Sequence, residues 1–506
     1  MSVLKKLAGE TATYGVSTML GRLLNYLLVI LHTQLFVPAE LAVQVQLYTY
    51  AGLSFVLYTF GMETAFFRFA QKETDRTHYY NLIMSAVVLV SVVFSGSILL
   101  FAEPIARFIQ YPEEVRLVRW MAIIMATDSI VAIPFARLRL EKKAKKFVRI
   151  RVVNILLNIG LNIFFLVICQ DIIDGKYLTV FQPVVSLFYN PAIAPAYIIM
   201  ANLVANLTFF WFLRQEIRDF TFLWNLSIFK PVWVYAFPIM VMNIAGATNL
   251  LFDRMFLQYL LPENFYAGRT TKDAIGIYGQ AFKLSIFMNL SIQAFKYAAE
   301  PFFFSKAEDK NAPAVFAQIM KWFIIVCVLM WVGICLNLDL LATLFLRKKI
   351  YHEGLIVVPW LLLGFLFLGV YYNLAAWFKL TDKTHYGTYL TLTGASTTAL
   401  LNILLVPHLG YFGCALAFAG SGSLMAGLCY YFGQKFYPVP YNLSSALGYI
   451  GVGGLFIYAA SWIVLPDFWQ TFVVKALLFL VFIITTLLIE RQTLPPQLRR
   501  YLGASA

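Results

Sequence analysis

ARLRLEKKAKKF, residues 136–147, returns 240 residues later as AAWFKLTDKTHY, residues 376–387. Leu140 and Leu380 fall in register, as do Lys143 and Lys383. Further along, LNIFFLV at 161–167 is matched by LNILLVP at 401–407 with the same offset, which aligns Asn162 with Asn402. Each copy is a polar turn, basic in the first, between two long apolar runs. The choice is between a string of unrelated helices and a duplicated bundle.

Composition sets the solvent. Of 506 residues, 61% are hydrophobic and 13% charged, against roughly 45–50% and about 25% in soluble domains. Apolar runs long enough to cross a bilayer as helices lie near 10–36, 42–70, 78–101, 116–138, 147–169, 188–213, 231–260, 274–305, 313–337, 354–380, 385–406, 411–433, 445–465 and 468–489. The expected fold class is an all-α polytopic membrane protein of about 14 transmembrane helices. The repeat pairs the fourth and fifth runs with the tenth and eleventh. A shift of six helices keeps direction across the membrane, so the repeat is parallel, with its axis along the membrane normal. This predicts two pseudo-symmetric six-helix lobes, 1–229 with a cytoplasmic linker and 230–437, followed by two additional helices in 438–506.

Lys and Arg gather in loops on one side of this topology, densest at RLRLEKKAKKFVRIR, 137–151. By the positive-inside rule that side is cytoplasmic, with both termini on it. The cluster reads as a topology anchor on anionic lipid, so the net charge of +14 implies no nucleic-acid partner. Cys169, Cys327, Cys335, Cys414 and Cys429 lie in or at the ends of apolar runs without paired spacing and read as small buried hydrophobes.

An ionisable group inside a span usually marks a pathway or a buried pair. Six bases (Arg22, Arg68, Arg254, Lys283, Lys296, Lys475) stand against four acids (Glu63, Asp128, Asp253, Glu300). Polar residues recur at helical spacing beside them: Tyr14, Thr18, Arg22, Asn25 and His32 on the first run, Asn243, Gly246, Asn249 and Asp253 on the seventh, Asn289, Gln293, Lys296 and Glu300 on the eighth. Lipid does not accept such stripes, so they are expected to face one another or a wet cavity. Arg22 reads as a cavity cation or as the partner of an acid such as Glu63. Lys283 and Arg254 suit either substrate or outer headgroups. Asp253 with Arg254, and Lys296 with Glu300, are alternatives of pairing against function, and the same holds for Asp128.

In FVLYTFGMETAFFRFAQKE, residues 55–73, Glu63 and Arg68 stand five residues apart, which on a helix is a rotation of about 140°. They are poor partners, so Glu63 needs a base from another helix. The GMETAFFRFAQKE portion, with Gly61, Glu63, Ala65 and Arg68, resembles the close of the second helix in the polysaccharide-biosynthesis flippases. These belong to the multidrug/oligosaccharidyl-lipid/polysaccharide exporter superfamily, with the multidrug and toxin extruders and the lipid II flippases. The opening YGVSTMLGRLLNYLLVILHTQLFVPAELAVQVQLY is also similar, although AELAVQVQLY replaces the more usual glycine-bearing turn.

The resemblance implies a V-shaped pair of lobes around a cavity that opens to alternate sides. It implies that polyprenyl-diphosphate-linked oligosaccharide moves from the cytoplasmic to the periplasmic leaflet of a bacterial inner membrane. Substrate-binding residues would then be Arg22, Asn25, Arg68, Arg254, Lys283 and Lys296. Glu63, Asp128, Asp253 and Glu300 would serve coupling or ion pairing, with H+ or Na+ as coupling ion and no other cofactor. The lipid-linked substrate and the bilayer are the expected partners, with a polysaccharide polymerase and glycosyltransferases alongside a monomeric chain. A basic surplus suits a diphosphate, whereas an ion-coupled exporter of cationic drugs would favour acids. A lipid II-type peptidoglycan precursor is the other alternative. Outer loops are short, which argues against a membrane-embedded transferase or ligase. Arg22→Ala is expected to abolish translocation while the protein still reaches the membrane.

Overall fold

The computed structural model describes residues 24, 26–71, 73–306, 309, 311–463 and 465–491. Arg22 and Asn25, and the side chain of Glu300, lie outside the described residues. In chain order the main helices are α1 (Tyr26–Leu35), α2 (Pro38–Thr59), α3 (Met62–Phe69), α4 (Glu73–Leu100), α5 (Val115–Leu140), α6 (Ala144–Ile163), α7 (Ala196–Phe212), α8 (Leu226–Leu260) and α9 (Thr271–Lys306). They continue as α10 (Ala312–Leu336), α11 (Val358–Leu374), α12 (His385–Leu409), α13 (Tyr411–Phe436), α14 (Leu443–Ser461) and α15 (Phe468–Ile489).

Among the described residues ten helices are long and apolar enough to cross a membrane, and α1 and α7 are shorter apolar helices. Of the fourteen runs read from the sequence, the other two are helical as well. The run at 42–70 is broken into α2 and α3, and the run at 274–305 lies within α9. The break has a local cause. Phe60 and Gly61 both adopt left-handed backbone, at φ 33° and 77°, which ends one helix and restarts the next.

Helix starts use ordinary capping chemistry. Pro38 opens α2, where its missing N–H is no loss, and the Glu40 carboxylate accepts from Val37 N at 2.8 Å. Asn225, Asn442 and Asp467 cap α8, α14 and α15 by accepting from Ser227, Ser445 and Gln470 N–H groups at 3.0, 2.9 and 3.0 Å.

The sequence repeat is visible in the backbone. The turn after α5 has Lys142 at φ 57°, and the turn before α12 has Asp382, at the offset position, at φ 58°. Asn162 and Asn402 are both fully buried. Each donates its amide to the carbonyl four residues earlier, Asn158 at 2.8 Å and Thr398 at 2.7 Å.

The largest core cluster gathers α9 to α13 and also takes in Tyr26 and Val29 of α1, Leu41 and Ala42 of α2 and Tyr197 and Ile198 of α7, while α2 to α7 pack around smaller clusters as well. Helix α8 also serves both. The first half of α8 buries Val232 and Ala236 against Met62, Phe66 and Tyr80 of the first half of the chain, and its second half buries Leu257 in the α9–α13 core. Helices α14 and α15 lean on α10, where Gly453 meets Val328 and Gly333 meets Phe479. They remain mostly exposed and apolar, as helices bathed in lipid would be.

Apart from the first half of α8, the two halves meet at the end of the bundle opposite the 136–147 and 376–387 turns. There Thr33 Oγ1 donates to the Phe345 carbonyl at 2.8 Å and Tyr351 OH to the Phe36 carbonyl at 3.0 Å. Lys348 Nζ donates to the Leu35 carbonyl at 2.8 Å, Gln258 Nε2 to the Ile109 carbonyl at 2.5 Å and Tyr259 OH to the Phe108 carbonyl at 3.0 Å. Gly276 packs so closely on Pro38 that a Cβ there would lie 2.0 Å from the Pro38 carbonyl oxygen. No salt bridge among the described residues joins 1–229 to 230–437.

A candidate substrate site on α9 and its surroundings

Helix α9 carries polar residues at Gln280, Lys283, Asn289, Gln293 and Lys296 along an otherwise apolar sequence. Its neighbours across the seam are α2, where Gly279 allows Val45 to approach, and α1, where Tyr26 lies against Phe287 with ring centroids 4.9 Å apart. Three polar groups here are left unsatisfied by the fold. Both amide atoms of the fully buried Gln280 lack hydrogen-bond partners, and so does the buried Tyr26 hydroxyl. Lys283, half-buried, makes no hydrogen bond or ion pair among the described residues and lies within electrostatic reach of Arg254 and His32. Leaving a buried polar group unmet costs about 1–3 kcal/mol, so such a cluster asks for water or for a bound molecule.

The other expected site residues separate into groups. Arg254 and Asp253 are buried and paired, with Arg254 Nη1 3.1 Å from Asp253 Oδ1. Tyr278 OH donates to the other carboxylate oxygen, Gln46 donates to the Arg254 carbonyl at 2.9 Å, and the guanidinium sits 4.1 Å from the Phe282 ring centre. Nor does the α8 stripe form a continuous wet face. Asn249 Oδ1 accepts from Thr398 of α12 at 2.9 Å and Asp253 is held by α9, whereas Asn243 is exposed. A helix packed among others finds polar partners on them, so its stripe is consumed within the α9–α13 half.

Glu63 is paired with Arg139 at the end of α5, and that guanidinium also lies over the Phe67 ring at 5.0 Å. Arg68 is exposed and stacks on Tyr235 of α8 at 4.6 Å. Asp128 accepts from Asn206 Nδ2 at 2.8 Å, and Asn154 donates to Asn206 Oδ1 at 3.2 Å, tying α5, α6 and α7 together. His32 Nε2 meets Asn162 Oδ1 at 3.0 Å, linking α1 to α6. Lys296 lies 4.6 Å from the Tyr372 ring centre and lines a small pocket with Asn373 and Lys379. Lys475, one of the six bases within the spans, meets Asp339 at 3.0 Å.

Residues 33–193 match the family described as polysaccharide biosynthesis protein. No curated protein matches the sequence. Among solved structures, the chain superposes on a lipid II flippase MurJ in an inward closed conformation with TM-score 0.72 and 14% identity, covering 95% of this chain and 99% of that one. An inward-facing MATE family multidrug resistance transporter of the MOP superfamily gives TM-score 0.62 and 13% identity over 85% and 97%. A Vibrio cholerae MATE transporter gives 0.59 and 13% over 86% and 98%. The chain has the fold of the MOP superfamily.

Within this MOP fold the sequence missed one cation. Arg151 belongs to the basic stretch read as a lipid anchor, yet it lies two turns inside α6, over the rings of Phe135, Phe147 and Phe209. The signal available was its place seven residues past the α6 start at Ala144, which is about 10 Å of helix.

Proposed function

We propose that the protein is a flippase. It carries a polyprenyl-diphosphate-linked oligosaccharide from the cytoplasmic to the periplasmic leaflet of a bacterial inner membrane, by alternating opening of its two halves. Both termini lie in the cytoplasm in this reading, and no covalent chemistry is done on the substrate. The observation that carries it is Lys283, a cation on the seam between the halves without a partner among the described residues, beside Gln280 and Tyr26 with unmet polar atoms. A diphosphate crossing a low-dielectric interior needs fixed cations and donors in place of its hydration shell. Amides and phenols suit sugar hydroxyls. The acids support the same choice over a cationic drug: Glu63 and Asp253 are each already neutralised by an arginine.

Native mass spectrometry of lipid retained by the purified chain tests the class. A polyprenyl diphosphate sugar is expected, and a reproducibly retained cationic drug would overturn the reading. In reconstituted liposomes Lys283→Gln is expected to lower translocation of that lipid at least about tenfold, since a charge-assisted hydrogen bond contributes roughly 1.5–3 kcal/mol. An unchanged rate would remove Lys283 from the site. Collapsing proton, sodium and electrical gradients in the same liposomes tests coupling through Asp128.

A further inference from the structure

We propose that Arg151, braced by Phe135, Phe147 and Phe209, is a second phosphate-binding site, placed inside the first half of the molecule and separate from Lys283. The inference rests on the flippase reading for its biological ligand, but its geometry stands alone. The guanidinium carbon lies 4.2 Å from the Phe135 ring centre, 5.4 Å from Phe209 and 5.8 Å from Phe147. Aromatic rings hold a guanidinium by its charge and flat faces, and leave the N–H groups around its edge unused. Those donors remain available: Arg151 makes no hydrogen bond or ion pair among the described residues. It is also exposed although it lies deep among α5, α6 and α7, the condition of a side chain that borders a wet cleft.

The nearest acids do not claim it. Asp128 is within electrostatic reach but takes its hydrogen bond from Asn206 at 2.8 Å, and Glu63 is bound by Arg139. What such a group lacks is a planar or tetrahedral anion able to accept two N–H bonds at once. A phosphate or diphosphate has that shape and charge.

The test uses the full chain in lipid nanodiscs with two probes, farnesyl diphosphate and inorganic diphosphate, and farnesol as the uncharged control. Arg151→Gln is expected to weaken binding of farnesyl diphosphate about tenfold or more. Arg151→Lys, which keeps the charge and loses the planar fork, should recover only part. Loss for both diphosphates assigns the site to phosphate as such, and loss for the farnesyl probe alone assigns it to lipid-linked phosphate. On unmutated protein, farnesyl diphosphate should shield Arg151 from phenylglyoxal, read by peptide mass spectrometry, and farnesol should not. Wild-type affinity in Arg151→Gln, together with weakened binding in Lys283→Gln, would overturn this inference and leave the flippase reading standing. A wild-type chain that binds neither diphosphate would overturn both.

Discussion

A carboxylate inside an apolar helix has to find its counter-charge on another helix, and Glu63 finds Arg139. Both side chains keep about a third of their surface open, 40% and 32%, so solvent screens them and the coupling is expected at about 0.2–1 kcal/mol. A double-mutant cycle of Glu63→Gln and Arg139→Gln by thermal unfolding measures it. The double variant should be more stable than the two single losses summed, and strict additivity would mean that the pair contributes nothing. The buried Asp253–Arg254 pair should behave differently. Asp253→Asn strands a cation beside Tyr278 and is expected to destabilise by roughly 3–5 kcal/mol, read from the unfolding midpoint in detergent. That Glu63 needed a foreign partner was legible from its five-residue spacing to Arg68. The partner itself was not, because one basic run holds loop, helix-end and interior cations alike, and only the turn at Lys142–Lys143 sorts Arg139 from Arg151. The Asn249 and Asp253 stripe misled for a related reason: periodicity reports which face is polar and cannot report what lies opposite.

The break between α2 and α3 and the turn between α5 and α6 are the elements that hold these charges. Gly61 combines φ 77° with a backbone that presses on α8, where an added Cβ would stand 2.7 Å from the Ala236 carbonyl oxygen. Gly61→Ala therefore adds left-handed strain of about 1–2 kcal/mol to a clash, and should lower the unfolding midpoint and displace α8. The opposing variant Gly160→Ala, where no atom lies within 4 Å, should be neutral or stabilising. In the turn, burial pushes the Glu141 carboxyl up, and the hydrogen bonds and charges of Lys143 and Arg137 outweigh it, leaving it below its ordinary value. A depressed carboxyl adds stability that is present above the unfolded value near 4.3 and fades as pH falls through the folded one. The gap in unfolding midpoint between wild type and Glu141→Gln should accordingly be widest near neutral pH and close on acidification. Element existence was read well from the apolar runs. The α2–α3 break was not, because Phe60 adopts a left-handed backbone that its side chain does not advertise.

At the scale of the whole molecule, the duplicated turn predicts two half-bundles, and the backbone keeps the trace of the repeat. The offset survives as matched backbone at Lys142 and Asp382 and matched amides at Asn162 and Asn402. Which end is closed had no sequence signal, since the contacts run from side chains to main-chain carbonyls. Gly276→Val should wedge that end open, because no side chain fits between α9 and Pro38. Spin labels at the exposed positions Glu113 and Glu263, one on each half, should report a longer distance in the variant, and an unchanged distance would remove Gly276 from the closure. The same carbonyl-based closure sets how the protein meets its surroundings. Dipoles, unlike opposed ions, are scarcely weakened by dissolved salt, and just one charged donor, Lys348, takes part in the bonds described. In the flippase reading proposed above, that end faces the outer compartment, which follows the salinity of the surroundings. A gate fastened mainly by neutral donors would keep nearly the same grip in fresh water and in brine.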